Sequence, residues 1–253
     1  MTFQPVPLAW VLDPSIILGL LTAATGFIYF RRRNPPDAGR PVLFWTGLLC
    51  FAVALVSPLD SASDRYLLSA HMLQHILLTM VGPPLILAGL PAAMGRRVPR
   101  FLLNPWLAVF LFNLVLIGWH FPPLYDATLH NEALHILEHL MFTGTAFIFW
   151  WPIVGPTRRG EMSPLMKIGY LAFATVPPTV IGMILAFAPT PLYEFYNLAP
   201  RLIGEVSAVL DQQIAGLLMF GLGNLIYFVP MSVLFFRLAD DSADEPEGVP
   251  SGN

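Results

Sequence analysis

The sequence predicts an all-α membrane protein: a bundle of seven transmembrane helices, N-terminus outside and C-terminus in the cytoplasm. Three observations predict it. Of 253 residues, 56% are hydrophobic and only 11% are charged, against about 25% charged in a soluble domain. The apolar residues fall in runs near the ~20 residues that a helix needs to cross a bilayer, not in the short alternating segments of a membrane barrel. The basic residues are segregated: of 13 lysines and arginines, all but Arg65 and Arg201 lie in alternate loops or after the last span, the bias that marks cytoplasmic segments.

The spans follow in order. The first covers residues 14–30 and is stopped by Arg31, Arg32 and Arg33. No basic flank or cleavage site precedes it, so it is expected to serve as its own insertion signal. The second, a short one, covers 41–56. The third covers 66–90, where Pro83-Pro84 is expected to bend it, and the fourth covers 102–119. The fifth covers 133–153, the sixth 165–188 with Pro177-Pro178 inside, and the seventh 211–236. Interior prolines are tolerated in membrane helices when neighbours satisfy the freed carbonyls. Arg40, then Arg96, Arg97 and Arg100, then Arg158, Arg159 and Lys167, and finally Arg237 mark the inner side. Residues 1–239 read as one transmembrane domain without internal repeats. Residues 240–253, with Asp240, Asp241, Asp244, Glu245 and Glu247, read as a disordered acidic cytoplasmic tail. The single cysteine excludes an internal disulfide framework, and no basic patch interleaved with aromatics points to nucleic acid.

This topology sends all six histidines to the extracytoplasmic side. His71 and His75 lie near the outer end of the third span, His120 closes the fourth, His130 follows it in an outer loop, and His135 and His139 head the fifth. Residues four apart share one face of a helix, roughly 6 Å from each other, so each His-x-x-x-His pair can grip one ion. At ~1.5 Å per residue, the two pairs lie level, about 8–12 Å below the outer edge. A single membrane histidine often bridges helices by a hydrogen bond. Two pairs at one depth favour a metal site, and polar groups at membrane depth are functional suspects by default. Imidazole suits copper, zinc, iron and nickel alike.

Around these pairs stand further groups, each with a plainer reading. Glu138 is a ligand, an acceptor that orients an imidazole, or an interhelical hydrogen-bond partner. Asp60 is a solvated loop residue or part of the shell; Asp211 is a helix cap or an entry group for a cation. Met72, Met141, Met183 and Met219 offer soft sulfur suited to Cu(I), yet methionine is an ordinary gap filler. Cys50, near the depth of His75, is a thiolate ligand or a small buried hydrophobe.

Several stretches together resemble the multi-span CtaG family of cytochrome c oxidase assembly proteins. They are Ser57-Pro58-Leu59-Asp60; Ala70-His71-Met72-Leu73-Gln74-His75 with Gly82-Pro83-Pro84-Leu85; Trp119-His120-Phe121-Pro122 with Leu124-Tyr125-Asp126; His135-Ile136-Leu137-Glu138-His139 with Phe149-Trp150-Trp151-Pro152; and Asp211-Gln212-Gln213-Ile214-Ala215-Gly216. The resemblance runs over residues 57–227. One departure is Phe220-Gly221-Leu222-Gly223, which stands where a tryptophan–proline turn is expected and bears only on packing. The resemblance implies a role in maturing a haem–copper oxidase and favours copper over zinc; spacing alone implies only an outward-facing metal site.

The resulting expectation is a copper-binding assembly factor of the plasma membrane, not an enzyme. His71, His75, His135 and His139 are the expected ligands, with His120 next. Glu138, Asp60, Asp211, Met72 and Cys50 are the expected supporting groups. The expected partners are a cytochrome c oxidase subunit, a copper donor and the lipid bilayer, with homo-oligomerisation open. The main rival is an intramembrane zinc hydrolase of the lipid-amide type, in which three histidines hold zinc and Glu138 or Asp211 is the base. A second rival is haem ligation by facing histidines.

Overall fold

The structure is a computed structural model that describes residues 7–34, 39–95, 98–157 and 162–243. Among these residues it is all-helical. Helix α1 is Pro14–Arg33, α2 Pro41–Val56 and α3 Pro58–Arg65. Helix α4 runs Leu68–Gly89 through a π-helical turn at Leu77–Val81. Helix α5 is Pro105–Trp119, α6 Pro122–His130 and α7 Glu132–Val154. Helix α8 runs Pro164–Phe187 and α9 is Glu194–Leu198; α10 starts at Ala208 and continues through a second π-helical turn to Ala243. Two further single turns, Ala92–Gly95 and Arg100–Leu103, lie between α4 and α5.

Among the described residues, five helices are long and apolar enough to cross a membrane: α1, α4, α7, α8 and α10. The number is up to seven if α2 with α3, bent by 48°, and α5 with α6, bent by 76°, each count as one span. The chain is a multi-pass membrane bundle, and the two extra spans are the broken ones. Each break falls before a proline, whose ring drives the preceding residue out of the helical region. Ser57 is extended at φ −78°, ψ 171° before Pro58, and Phe121 at φ −68°, ψ 122° before Pro122. Residues 58–65 and 122–130, expected as outer loops, therefore form short helices folded over one end of the bundle. Arg96, Arg97, Arg158 and Arg159, on which part of the expected orientation rests, lie outside the described residues. So do residues 244–253 of the acidic tail, while Asp240 still belongs to α10.

Helix α4 is the centre of the bundle. Two thirds of its apolar window (67%) is buried, against 6% for α1, and it packs against α2, α3, α7 and α10. The expected disturbance at Pro83-Pro84 takes the form of the π-helical turn. The carbonyl of Thr79 has a proline both four and five residues ahead, so neither helical register gives it an N–H. The indole of Trp150 on α7 fills that gap, donating to Thr79 O at 2.9 Å. Helices α8 and α10 meet backbone to backbone at Gly182 and Gly216; a Cβ on Gly216 would lie 2.4 Å from Gly182 O. Small residues permit such close approach in membranes. At Phe220-Gly221-Leu222-Gly223 the chain makes no turn: α10 continues through the π-helical segment Leu218–Leu222.

Candidate metal centre

Helix α4 supplies His71 and His75, one turn apart and both buried. Their Nε2 atoms face each other at 2.9 Å. The position of His71 is fixed from behind. Tyr196 on α9, also buried, donates its hydroxyl proton to Ser63 O at 2.6 Å. That leaves its oxygen to accept from His71 Nδ1 at 3.0 Å. Burial pushes the Tyr196 hydroxyl well above the ordinary tyrosine range, so it remains a phenol. With the proton on Nδ1, the Nε2 lone pair of His71 points at the cluster. This is the arrangement by which an outer partner orients a metal-binding imidazole.

Helix α7 brings His135, Glu138 and His139 to the same place. Asn131 starts this helix: its side chain accepts from Ala133 N and Leu134 N at 3.0 and 3.2 Å, a cap worth about 1 kcal/mol. The ring centroid of His139 lies 4.3 Å from that of His135, 5.4 Å from His75 and 6.1 Å from His71; His135 is 5.6 Å from His71. Glu138 is fully buried, with Oε1 3.9 Å from His75 Nε2. Asp64 Oδ2 lies 3.7 Å from His135 Nδ1 on the opposite side.

Among the described residues, two groups of three can each hold an ion, with ligand atoms within 4.8 Å of one another: His71, His135 and His139, and His71, His75 and Glu138. Both use His71, whose Nε2 has one lone pair, so the two groups serve one ion at a time. The donor atoms fit a metal ion. His135 Nε2, His139 Nε2 and both carboxylate oxygens of Glu138 are buried without a hydrogen-bond partner. Buried polar atoms left unpaired cost about 1–3 kcal/mol each, and several in one place call for a ligand. His120 is prepared in the same way. Its Nδ1 meets Leu116 O at 2.7 Å, its Nε2 is buried and unpartnered, and its ring centroid is 6.5 Å from that of His75. It stands beside the two groups without belonging to either.

The remaining expected residues have other partners or surroundings. Asp60 accepts from Gln74 Nε2 at 2.8 Å, and Gln74 also donates to Ala54 O at 2.9 Å. Asp211 caps a helix, but not its own. It accepts from Leu68 N at 2.7 Å and Ser69 N at 3.1 Å, and from the Ser69 hydroxyl, and so holds α10 against the start of α4. Its neighbour Gln212 accepts from Leu192 N at 2.6 Å and secures the segment leading to α9. Met72 and Met219 pack in an apolar cluster with Leu68, Tyr125 and Leu185. Met141 and Met183 are exposed on the bundle surface. Cys50 is half-buried on α2 and joins no group of three ligands among the described residues. His130 is exposed, its Nδ1 2.7 Å from Asp126 O.

Sequence reasoning missed Tyr196, Asp64 and Gln74. Asp64 carried a signal, since it follows Asp60 by one helical turn. Tyr196 carried little, lying in a loop between spans. Asp126 of the Leu124-Tyr125-Asp126 stretch positions it indirectly by accepting from Glu194 N and Phe195 N at 3.1 and 3.2 Å, which starts α9.

Residues 24–241 match the family model described as cytochrome c oxidase caa3 assembly factor (Caa3_CtaG). The chain is similar to an uncharacterised protein of Mycobacterium leprae (strain TN), 27% identical over 89% of this chain and 38% of the relative. It is similar also to uncharacterised proteins of Mycobacterium bovis (strain ATCC BAA-935 / AF2122/97) and Mycobacterium tuberculosis (strain CDC 1551 / Oshkosh), each 27% identical over 70% of this chain and 28% of the relative. The chain thus spans well under half the length of these relatives. No solved structure matches. With the family model covering most of its length, the chain belongs to the Caa3_CtaG family of cytochrome c oxidase assembly factors.

Proposed function

We propose that this assembly factor binds copper at the histidine cluster between α4 and α7 and supplies it to a cytochrome c oxidase subunit lying beside it in the membrane. The observation that carries the reading is the convergence of buried, unpartnered donor atoms on His135, His139 and Glu138 upon His71 and His75. A cluster built mainly of neutral imidazole suits copper and lets it go again more readily than a thiolate cage. The segregation of basic residues supports an N-terminus outside, the C-terminus in the cytoplasm, and a site near the extracytoplasmic face of the plasma membrane. Here the protein's own residues present lone pairs and, through Tyr196, orient the His71 imidazole.

A zinc hydrolase is the second reading, and one observation favours it. His71, His75 and Glu138 form a His₂Glu set, which also serves catalytic zinc. The test is a strain carrying His71→Ala. Its oxidase should contain polypeptide and haem yet show low activity, partly restored by excess external copper. Normal oxidase activity and copper content in that strain, with no second assembly factor present, would sink the reading. A zinc hydrolase would instead leave respiration intact and lose lipid-amide turnover in Glu138→Gln.

A further inference from the structure

The segment before α1 and the second half of α1 are both fixed to the bundle. At the start, Val11 N donates to Val56 O at 2.9 Å, and Ser61 Oγ pairs with both N and O of Ala9 at 3.1 Å. Toward the other end, Phe27 stacks on Phe44 with centroids 3.9 Å apart, and Phe27 is the only buried residue of the helix. Between these fixings lies a cavity of about 760 Å³, bounded by α1, α2, α3, α4 and α7. Its α1 wall is made of small and aliphatic residues, among them Gly19, Leu20 and Ala23. Its polar end carries Asp60, Asp64, Arg65 and Glu132.

The cavity also meets the metal centre, and only in part. His135 and His139 line it, whereas His71, His75 and Glu138 do not. Both lining histidines have a buried, unpartnered Nε2. Thus the group of His71, His135 and His139 has two of its three ligands on the cavity wall, while the group containing Glu138 lies behind it.

We propose that the ion reaches and leaves the centre sideways, through the cavity beneath α1, with His135 and His139 as its first protein ligands. This rests on the metal reading above. On the cavity wall the carboxyl groups of Asp13, Asp60, Asp64 and Glu132 face a single cation, Arg65, and this acidic excess attracts the ion; Asp64 stands beside His135 at 3.7 Å. In a low-dielectric cleft such carboxylates raise the local cation concentration and its arrival rate. The step is ligand exchange alone: the cation sheds the ligands of its carrier and binds imidazole lone pairs, with no electron transferred. A route opening under a loosely packed outer helix also faces the bilayer, where a membrane-embedded acceptor subunit lies.

The test is to fill the cavity without touching a ligand. A Cβ on Gly19 meets nothing within 4 Å, and the same holds for Gly26, which does not line the cavity. Purified metal-free protein in lipid nanodiscs is mixed with Cu(I) presented as its acetonitrile complex, and uptake is followed in time. Gly19→Phe and Ala23→Leu should slow loading by about tenfold or more, within the one to three decades over which association rates vary among related variants. The final copper content should equal that of the wild type, and Gly26→Phe should load at the wild-type rate. Asp64→Asn should slow loading at low ionic strength and converge on the wild type in high salt. Wild-type loading rates in both Gly19→Phe and Ala23→Leu would overturn the lateral route and leave the metal reading standing. A wild-type protein that binds no copper would overturn the metal reading itself.

Discussion

Replacing Asp211 separates a structural role from a metal-binding one. Its carboxylate accepts from the first two N–H groups of α4, Leu68 N at 2.7 Å and Ser69 N at 3.1 Å. Leu67, at the N-cap position of that helix, supplies no side-chain cap of its own. In Asp211→Ala both donors lose their partner. Leu68 is 1% exposed, so no water replaces the carboxylate there. At about 1–3 kcal/mol per buried unpaired donor, the change should cost roughly 2–5 kcal/mol, or on the order of 5–15 °C in unfolding temperature. Asp211→Asn keeps one acceptor oxygen and should cost roughly half as much. The assay is thermal unfolding of the metal-free protein in detergent, read by loss of the monodisperse species, alongside copper content at saturation. The expected result is lower stability with copper stoichiometry retained in the Asn variant. An Asp211→Ala protein that unfolds at the wild-type temperature yet binds no copper would refute the capping role and make Asp211 a ligand.

Tyr196→Phe removes the oxygen that accepts from His71 Nδ1 while keeping the ring. Copper affinity should fall by about 10–100-fold, the usual consequence of losing an outer partner of a metal-binding imidazole. The stoichiometry should stay the same in competition titrations against a chelator, and unchanged affinity would show that His71 needs no such support. Trp150→Phe leaves Thr79 O without the indole N–H that replaces the proline-blocked helical bond. It should lower stability by about 1–3 kcal/mol in the same thermal assay, and an unaltered unfolding temperature would mean that another donor reaches that carbonyl.

The long spans and both histidine pairs were legible because a bilayer imposes a length and a composition on any helix that crosses it, and because i, i+4 spacing forces a shared face. The short helices α3 and α6 were not. Residues 58–65 read Pro-Leu-Asp-Ser-Ala-Ser-Asp-Arg, too polar for a span and too short for a periodic pattern. They are helical because Pro58 starts the turn and the Ser57 side chain caps Leu59 N. Asp60, read as a solvated loop residue or part of the shell, is instead tied to Gln74 on α4, a pairing over 14 residues that spacing alone does not reveal. Asp211 was legible as a cap but not as the cap of another helix, because its own helix begins three residues earlier, at Ala208, with Ser207 as cap. The π-helical turn at Leu77–Val81 was hidden for a related reason. Prolines at 83 and 84 announce a disturbed helix, but whether the backbone kinks or widens depends on what Trp150 offers from across the interface.

Metal content of the purified protein tests the central claim most directly. Wild-type protein exposed to equimolar Cu(I) and Zn(II), then desalted and measured by elemental analysis, should carry one copper per chain and little zinc. His75→Ala leaves the group of His71, His135 and His139 intact, and His139→Ala leaves that of His71, His75 and Glu138, so each should lower that value only in part, while the double variant should lose far more than either single. Zinc in place of copper, or no metal in any variant, would contradict a copper centre built on His71, His75, His135, His139 and Glu138.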